Sequence, residues 1–441
     1  MTLATPITVV RGRFLDIQNI VSHATEIAEQ VRYIEDGVLI TEQGKIRWFG
    51  PWEAAQDHLP TDVEIQHYPE QLIIPGMIDT HIHFPQTEMV GAYGEQLLSW
   101  LNTYTFPTEI QFKDKAYAQE IAKFFVNELL KNGTTTALVF CTVHPESVDA
   151  LFEAAEQHQM RLIAGKVMMD RHAPEALCDS AESAYVDSKT LIQKWHGQGR
   201  ALYAITPRFA PTSTPEQLER AGQLKAEFPD VYVHTHLSEN KDEIAWVKDL
   251  FPHQNGYLDV YHHYGLTGQR SVFAHCVHLE DTEWKCMHDT NSAIAFCPTS
   301  NLFLGSGLFP LKKTWDQQVK VGLGTDIGAG TSFSLLQTVN EAYKVQQLQG
   351  DKLSAYESLY HATLGGAKAL DLDDKLGNFN VGKEADFVVL DLKATALQQL
   401  RQSRAKSIED SLFALFTMGD DRNVEATYIY GQKAYQQNQS I

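Results

Sequence analysis

Short apolar runs alternate with amphipathic segments through the middle of the chain. Eight of these runs have the length and composition of buried strands, and they cover residues 77–82, 134–140, 162–169, 202–205, 231–237, 271–274, 293–296 and 321–323. The segments between them carry helical spacing, and they include residues 115–130, 145–159, 183–195, 215–228 and 281–289. This succession predicts an α/β fold and favours a (β/α)8 TIM-type barrel, while the pattern alone also allows a doubly wound parallel sheet.

The two ends of the chain are rich in strands and differ from the middle. The predicted strands there cover residues 7–15, 37–40, 45–50, 385–390 and 426–430, and one helical segment covers residues 24–33. Strands at both ends, with a barrel between them, predict a small β-sandwich domain that the two termini build together. We place this composite domain at residues 1–75 plus 378–441 and the barrel at residues 76–377.

Charge and cysteine content narrow the class of protein. The 441 residues carry 36 Lys and Arg against 56 Asp and Glu, a formal charge of -20, so the surface repels phosphate backbones and anionic membranes. We therefore expect neither nucleic acid nor membrane as a partner. Five cysteines without a C-x-x-C pair indicate reduced thiols. With no signal-peptide pattern and no apolar stretch of about 18 residues, we expect a cytoplasmic protein.

Candidate metal ligands stand at the predicted carboxyl ends of the strands, where a barrel places its active site. The first strand carries His81 and His83, which point to one face because side chains alternate along a strand. Such a pair alone is more often a pair of buried histidines bonded to the backbone, but His236 and Asp326 also stand at strand ends. Three imidazoles and a carboxylate suit a catalytic zinc ion, so we expect one Zn2+ per chain, with Fe2+ as the alternative.

Other residues beside these donors have candidate roles. Glu239 lies three residues beyond the third histidine, where a carboxylate can reach an activated water as a general acid or base. His275 ends the sixth strand and is either a further ligand or a hydrogen-bond partner of the attacking oxygen, and we favour the second role. His234 is interpreted as structural because four ligands are already assigned, and His262 and His263 are interpreted as surface residues.

The chain resembles the amidohydrolase superfamily over nearly its whole length. The resemblance rests on residues 75–83, His236, His275, residues 324–326 and the tail segment 381–390. It implies a metal-dependent hydrolase barrel with a small β domain. Members with two metals typically bridge them with a carboxylated lysine at the end of the fourth strand. Residues 203–208 contain no lysine, so the resemblance implies the single-metal subtype.

Within the superfamily, five segments resemble guanine deaminases, namely residues 83–94, 97–101, 105–109, 207–212 and 234–240. The resemblance implies a zinc-dependent homodimer that converts guanine to xanthine and ammonia in purine catabolism. It also implies that Arg208 and Gln86 hydrogen-bond an edge of the purine, while Phe209 and Trp100 pack on the ring faces. The further candidates for substrate contact are His83, His236, Glu239 and Asp326.

The expected hydrolysis divides the catalytic work among Glu239, His275 and Asp326. Asp326 accepts a proton from the attacking water, Glu239 protonates the ring nitrogen beside the attacked carbon, and His275 steadies the new oxygen. Another single-metal deaminase or chlorohydrolase, acting on a triazine, a pterin or a modified adenosine, stays open as the alternative. A barrel that serves only as an assembly scaffold is a third possibility, which the intact donor set disfavours.

Overall fold

The computed structural model describes residues 7–61, 63–93 and 97–437. Gly94, the last residue of one segment that carries the resemblance, and the outermost residues of the predicted composite domain lie outside the described residues. The strands are β1 (Ile7–Ile17), β2 (Val31–Glu42), β3 (Lys45–Pro51), β4 (Ile65–Pro75), β5 (Met77–His83), β6 (Thr134–Phe140), β7 (Arg161–Gly165), β8 (Val167–Met168), β9 (Leu202–Pro207), β10 (Tyr232–Leu237), β11 (Ser271–His275), β12 (Ala293–Phe296), β13 (Lys320–Leu323), β14 (Phe387–Leu390), β15 (Val424–Ile429) and β16 (Gln432–Gln436).

The helices lie mainly between the strands of the middle region and near the carboxyl end. They are α1 (Leu97–Trp100), α2 (Phe106–Glu109), α3 (Lys115–Lys131), α4 (Pro145–Glu156), α5 (Ala181–Trp195), α6 (Pro215–Glu227), α7 (Lys241–Leu250), α8 (Tyr257–His263), α9 (Asp281–Asp289), α10 (Pro298–Phe303), α11 (Leu311–Asp316), α12 (Leu335–Leu348), α13 (Ala355–Ala362), α14 (Leu364–Ala369), α15 (Ala396–Gln402) and α16 (Ile408–Met418). Within the described ranges, no helix has both the length and the apolar character needed to cross a membrane.

Eight parallel strands form a nearly closed barrel in the order β5-β6-β7-β9-β10-β11-β12-β13, and β8 pairs with β9 beside this path. The chain beyond β13 approaches the first barrel strand. The amide of Asp326 donates to the carbonyl of His81 over 2.9 Å, and the amide of His83 donates to the carbonyl of Ile327 over 2.9 Å. The predicted (β/α)8 TIM-type barrel is therefore confirmed, and the doubly wound sheet is excluded.

The barrel strands follow the apolar runs because both of their faces are buried. Every residue of β5 and β6 is buried, as expected for parallel strands covered by helices outside and by packed side chains inside. The third predicted run is divided between β7 and β8 at Lys166. Some helices begin where a side chain accepts backbone hydrogen bonds, and one example is Asp114, which accepts from the first turn of α3.

Strands from both chain ends form one seven-stranded sheet in the order β16-β15-β14-β4-β1-β2-β3. The pair β1 and β4 is parallel, and the other pairs are antiparallel. The predicted fold class includes a separate β domain built by both termini, and the structure contains it. The strands of this domain are hydrogen-bonded in one continuous sheet. The domain limits at residues 75 and 378 stay a prediction.

Three features of the terminal regions differ from the sequence-based expectations. The helix predicted at residues 24–33 is a 3-10 helix only at Ala24–Gln30, because from Val31 the backbone pairs with β1. The strand β4 was not among the predicted strands, and Pro69 in its sequence lies where the pairing with β1 shifts register, between Tyr68 and Leu72. The helices α15 and α16 interrupt a region expected to hold strands, and side-chain caps start both of them.

A buried network of charges joins the barrel to the terminal sheet. Glu384, just before β14, accepts from Arg161 over 2.6 Å and from Arg200 over 2.6 Å. Arg200 also donates from Nη1 to Oδ1 of Asp386 over 3.1 Å. Both guanidinium groups are almost fully buried, so each depends on these carboxylates for compensation.

Removal of Glu384 is expected to destabilise the protein strongly. Glu384→Ala leaves Arg161 buried without its ion-pair partner, which costs about 3–5 kcal/mol in the free energy of unfolding. Urea denaturation of the full chain measures the loss. Glu182→Ala, which removes an exposed partner of Arg220, is the control and is expected to cost less than about 1 kcal/mol. Equal losses of unfolding free energy in the two variants would contradict the role of Glu384 as the charge partner of the buried arginines.

Candidate active site

Four donor atoms converge at the carboxyl end of the barrel. Nε2 of His83 lies 3.2 Å from Nε2 of His81 and 3.2 Å from Nε2 of His236. Oδ1 of Asp326 lies 3.2 Å from Nε2 of His81 and 3.3 Å from Nε2 of His83. The structure thus brings together the four residues predicted as ligands, from β5, from β10 and from the turn after β13.

This donor set fits a zinc ion. Zinc bonds imidazole nitrogen and carboxylate oxygen at about 2.0–2.2 Å, so neighbouring ligand atoms are about 2.8–3.5 Å apart, which is the spacing found here. Where two of these imidazoles present unprotonated nitrogens to each other, their lone pairs repel, and a cation between them removes the repulsion. Their assignment as ligands stays a prediction that this geometry supports.

Hydrogen bonds on the far side of two rings orient them toward the common point. Nδ1 of His236 lies 2.7 Å from the carbonyl oxygen of Arg208, which makes Nδ1 the donor and leaves Nε2 with a free lone pair. Nδ1 of His81 lies 2.8 Å from Nε2 of His234. His234, interpreted from the sequence as structural, therefore holds a candidate ligand in place.

Burial keeps two of the candidate ligands, His83 and His236, neutral and hence able to bind a cation. Desolvation lowers the pKa of His83 to about 3 and holds the pKa of His236 well below its usual value. Burial acts in the opposite direction on Asp326, but the nearby histidines outweigh it and hold the pKa of that carboxyl well below its usual value. The site therefore presents His83 and His236 as neutral imidazoles and Asp326 as an ionised carboxylate at neutral pH.

The backbone at the strand ends is shaped to present these side chains. His275 and Asp326 have positive φ angles of 71° and 52°, and Ser238 has a φ of 50°, all in the left-handed region that non-glycine residues rarely occupy. A Cβ atom at Gly324 would lie 2.9 Å from Cβ of His81, so only glycine lets β13 approach β5 this closely.

Glu239 is held at the rim of the cluster by two neighbours. Its carboxylate accepts from the hydroxyl of Ser306 over 3.0 Å, and its backbone amide donates to Glu243 over 3.0 Å. Burial, reinforced by the nearby carboxylates of Glu243 and Asp326, raises the pKa of Glu239 well above its usual value. A carboxyl group in this setting can hold a proton near neutral pH and deliver it.

His275 faces both candidate proton carriers. Its Nε2 lies 3.5 Å from Oε2 of Glu239 and 3.8 Å from Oδ2 of Asp326. The side-chain amide of Asn301 lies 2.9 Å from Nδ1 and, as its nitrogen is placed, donates to it, which leaves Nε2 as a hydrogen-bond donor toward the site. This favours the hydrogen-bonding role over the ligand role, although His275 also lies within 4.8 Å of donor atoms of His81 and Asp326.

An open cavity lies directly over the cluster. Ten residues were predicted for the site, and nine of them line the cavity: His83, Gln86, Trp100, Arg208, Phe209, His236, Glu239, His275 and Asp326. The tenth, His81, is fully buried beneath it. The wall residues Leu101, Leu304 and Ala329 add apolar surface. A cavity with apolar walls and a few convergent polar groups suits a small planar ring.

Sequence reasoning missed several residues that support the site. Glu109 of α2 accepts from Arg208 at 3.0 and 2.8 Å and from the amide nitrogen of Gln86 at 3.1 Å. Asp79 accepts from the backbone amides of His81 and Thr325, each over 3.1 Å, and so ties β5 to the turn after β13. Glu109 lies in a segment that carried the resemblance, but nothing in its spacing indicated which residues it contacts.

Comparison with known proteins places this geometry in context. The sequence profile described as "Amidohydrolase family" matches residues 72–434. The guanine deaminase of Escherichia coli (strain K12) is 62% identical over 429 residues, which cover 97% of this chain and 98% of that protein. The solved E. coli guanine deaminase matches with a TM-score of 0.96 and 60% identity over 98% of this chain and 100% of that one. The guanine deaminase of C. acetobutylicum, solved with guanine in its active site, matches with a TM-score of 0.88 and 30% identity over 98% and 100% of the two chains.

Proposed function

Because the chain belongs to the amidohydrolase family and is similar over its whole length to guanine deaminases, we propose that it hydrolyses guanine to xanthine and ammonia. One observation of the structure carries this proposal. Glu239, His275 and Asp326 face one another above the three imidazole nitrogens, inside a cavity whose wall presents Arg208 and Gln86. That arrangement supplies water activation, proton transfer and ring recognition at one place.

The four donors His81, His83, His236 and Asp326 would hold the zinc ion. When bound there, zinc supplies the Lewis acidity that makes water a nucleophile at neutral pH. Ferrous iron accepts the same ligands, and we propose zinc because three imidazoles with one carboxylate match its coordination preferences. Metal analysis of the purified protein distinguishes the two ions.

The protein's own groups carry the protons through the reaction. Asp326 uses Oδ2, the oxygen that faces His275, to accept the proton of the attacking water. Glu239, kept protonated by its raised pKa, donates to the ring nitrogen beside the carbon under attack. His275 donates from Nε2 to the oxygen that develops charge on this carbon. Asp326 then returns its proton to the amino nitrogen, ammonia leaves, and Glu239 takes up the proton of the hydroxyl group, which leaves xanthine and restores both carboxyl groups.

The wall of the cavity orients the ring for attack. Arg208 and Gln86 present hydrogen-bond donors to the carbonyl oxygen and ring nitrogens of guanine, and Phe209 and Trp100 pack against its faces. Adenine carries an amino group where guanine carries the carbonyl oxygen, so these donors would be left without partners. We therefore propose strong discrimination against adenine.

A substrate panel tests the proposed function. Guanine, adenine, an amino-triazine, a pterin and a modified adenosine are each incubated with the zinc-loaded full chain, and the ammonia released is measured. We expect guanine to react and adenine to react at least about 10³-fold more slowly in kcat/KM, because a site built around hydrogen bonds rejects a mismatched ring. Ammonia from another ring but none from guanine would overturn the proposal in favour of that ring.

The cellular setting is a separate part of the proposal. The five cysteines are free, and three of them (Cys141, Cys276 and Cys297) are buried among apolar residues. Reduced thiols of this kind support a cytoplasmic location. We also propose a homodimer, as the resemblance to guanine deaminases implies, and light scattering of the purified protein measures its mass.

A further inference from the structure

We propose that Glu109 is a specificity-determining residue that reserves the purine cavity for an uncharged ring by neutralising the guanidinium of Arg208. The inference rests on the proposed function, since it assigns a purine to this cavity. It goes further in naming the form of purine that the site disfavours, which is the anion. Xanthine, the product, is more acidic than guanine and forms such an anion in mildly alkaline solution.

Glu109 and Arg208 form a buried ion pair with a fixed geometry. Nη1 of Arg208 donates to Oε1 of Glu109 over 3.0 Å and to Oε2 over 2.8 Å. The exposed fraction is 0% for Glu109 and 2% for Arg208. Arg208 lines the cavity, whereas Glu109 does not and lies behind it. A ligand therefore contacts the guanidinium, and the carboxylate acts on the ligand only through the charge that it cancels.

The same carboxylate also fixes the neighbouring donor. The side-chain nitrogen of Gln86 donates to Oε1 of Glu109 over 3.1 Å, and the side-chain oxygen of Gln86 accepts from the backbone amide of Gly328 over 3.1 Å. Both ends of this amide are thus engaged in one orientation, with one N–H left for a ligand. Glu109 consequently connects the two groups assigned to ring recognition.

The apolar surroundings of Arg208 strengthen the effect of its charge on a bound ligand. The ring of Phe106 lies 5.6 Å from the guanidinium carbon of Arg208, and apolar side chains form much of the cavity wall. Charges interact strongly in such poorly polarisable surroundings. Without Glu109, Arg208 would present an uncompensated positive charge that attracts an anion. With Glu109, a neutral purine gains hydrogen bonds, while an anionic purine gains little additional attraction.

Other titratable groups line the cavity together with Arg208, and their effect on ligand affinity must be separated from the effect of Arg208. They are His83, His236, Glu239, Glu243, His275 and Asp326. Hypoxanthine stays uncharged over the pH range in which xanthine ionises, so its affinity reports any change in these groups. The ratio of xanthine affinity to hypoxanthine affinity, followed from neutral to mildly alkaline pH, isolates the response to ligand charge.

The test measures this affinity ratio by calorimetry on the zinc-loaded full chain. In Glu109→Gln, we expect the ratio to rise at least about tenfold as xanthine ionises, because Arg208 then lacks its counter-charge. The wild type and Glu109→Asp, which keeps the charge, are expected to show no such rise. The same profile in Glu109→Gln and in the wild type would overturn the inference.

Two further variants keep the inference testable if Glu109→Gln folds poorly. Arg208→Gln leaves the negative charge alone, so we expect ionised xanthine to be disfavoured more strongly than in the wild type. The double variant Glu109→Gln/Arg208→Gln removes both charges and is expected to restore the wild-type profile. A profile unchanged in Arg208→Gln would also contradict the inference. Failure of the wild type to bind either purine would overturn the proposed function together with this inference, whereas binding with unchanged profiles overturns the inference alone.

Discussion

Glu239→Gln is expected to lower kcat for guanine by about 10²- to 10⁴-fold, the usual range for loss of a general acid or base. The amide keeps the size of the side chain and can still accept from the hydroxyl of Ser306, so the fold and the metal content should be unchanged. It cannot deliver a proton to the ring nitrogen. Steady-state kinetics with guanine and metal analysis of the same sample provide the measurement.

The control for this variant is Glu182→Gln, an equivalent change at an exposed position on α5, which is expected to leave kcat unaltered. KM in Glu239→Gln should change much less than kcat if the group acts mainly in the transition state. Turnover within about twofold of the wild type, with zinc retained, would contradict the role assigned to Glu239.

Removal of the metal is expected to abolish turnover and to lower the thermal stability of the protein. A chelator takes away the Lewis acid, and it also leaves the buried carboxylate of Asp326 facing imidazoles without a cation between them. Because an ion that binds only the folded state stabilises it, the melting temperature should fall on chelation and recover when Zn2+ is added back. Calorimetry and the guanine assay follow the two effects in parallel.

The variant His81→Ala tests the same assignment without a chelator. His81 is fully buried beneath the cavity, and we expect loss of zinc and loss of turnover that added Zn2+ does not restore. His263→Ala, an exposed histidine at the end of α8, is the control and should keep both. Full turnover in protein that holds far less than one metal ion per chain would contradict the assignment of a catalytic zinc ion to this site.

The barrel was predictable because its strands are buried on both faces. Short apolar runs, such as residues 137–140 of β6 and the whole of β12, then stand out from the amphipathic helices between them. The regular order of the parallel strands also made the position of the site predictable. Parallel strands end at the same face, so His81, His236 and Asp326 could be placed together from their positions alone, before any distance was known.

The supporting residues could not be predicted in the same way, since their roles depend on contacts between distant segments. Glu109 contacts Arg208 across 99 positions of the sequence, and Ser306 contacts Glu239 across 67. No local pattern encodes such a pair. The terminal regions were harder for a related reason, because pairing with β1 turns residues after Val31 into a strand despite their helical spacing.

The central claim is that this cavity adds water to guanine and expels its amino group. Incubation of the zinc-loaded protein with guanine in heavy-oxygen water tests it most directly, with mass spectrometry of the purine and a parallel assay of ammonia. The account predicts xanthine with one heavy oxygen at the carbon that carried the amino group, and an equal amount of ammonia. Unlabelled xanthine, or no conversion of guanine by protein that holds its zinc, would contradict it.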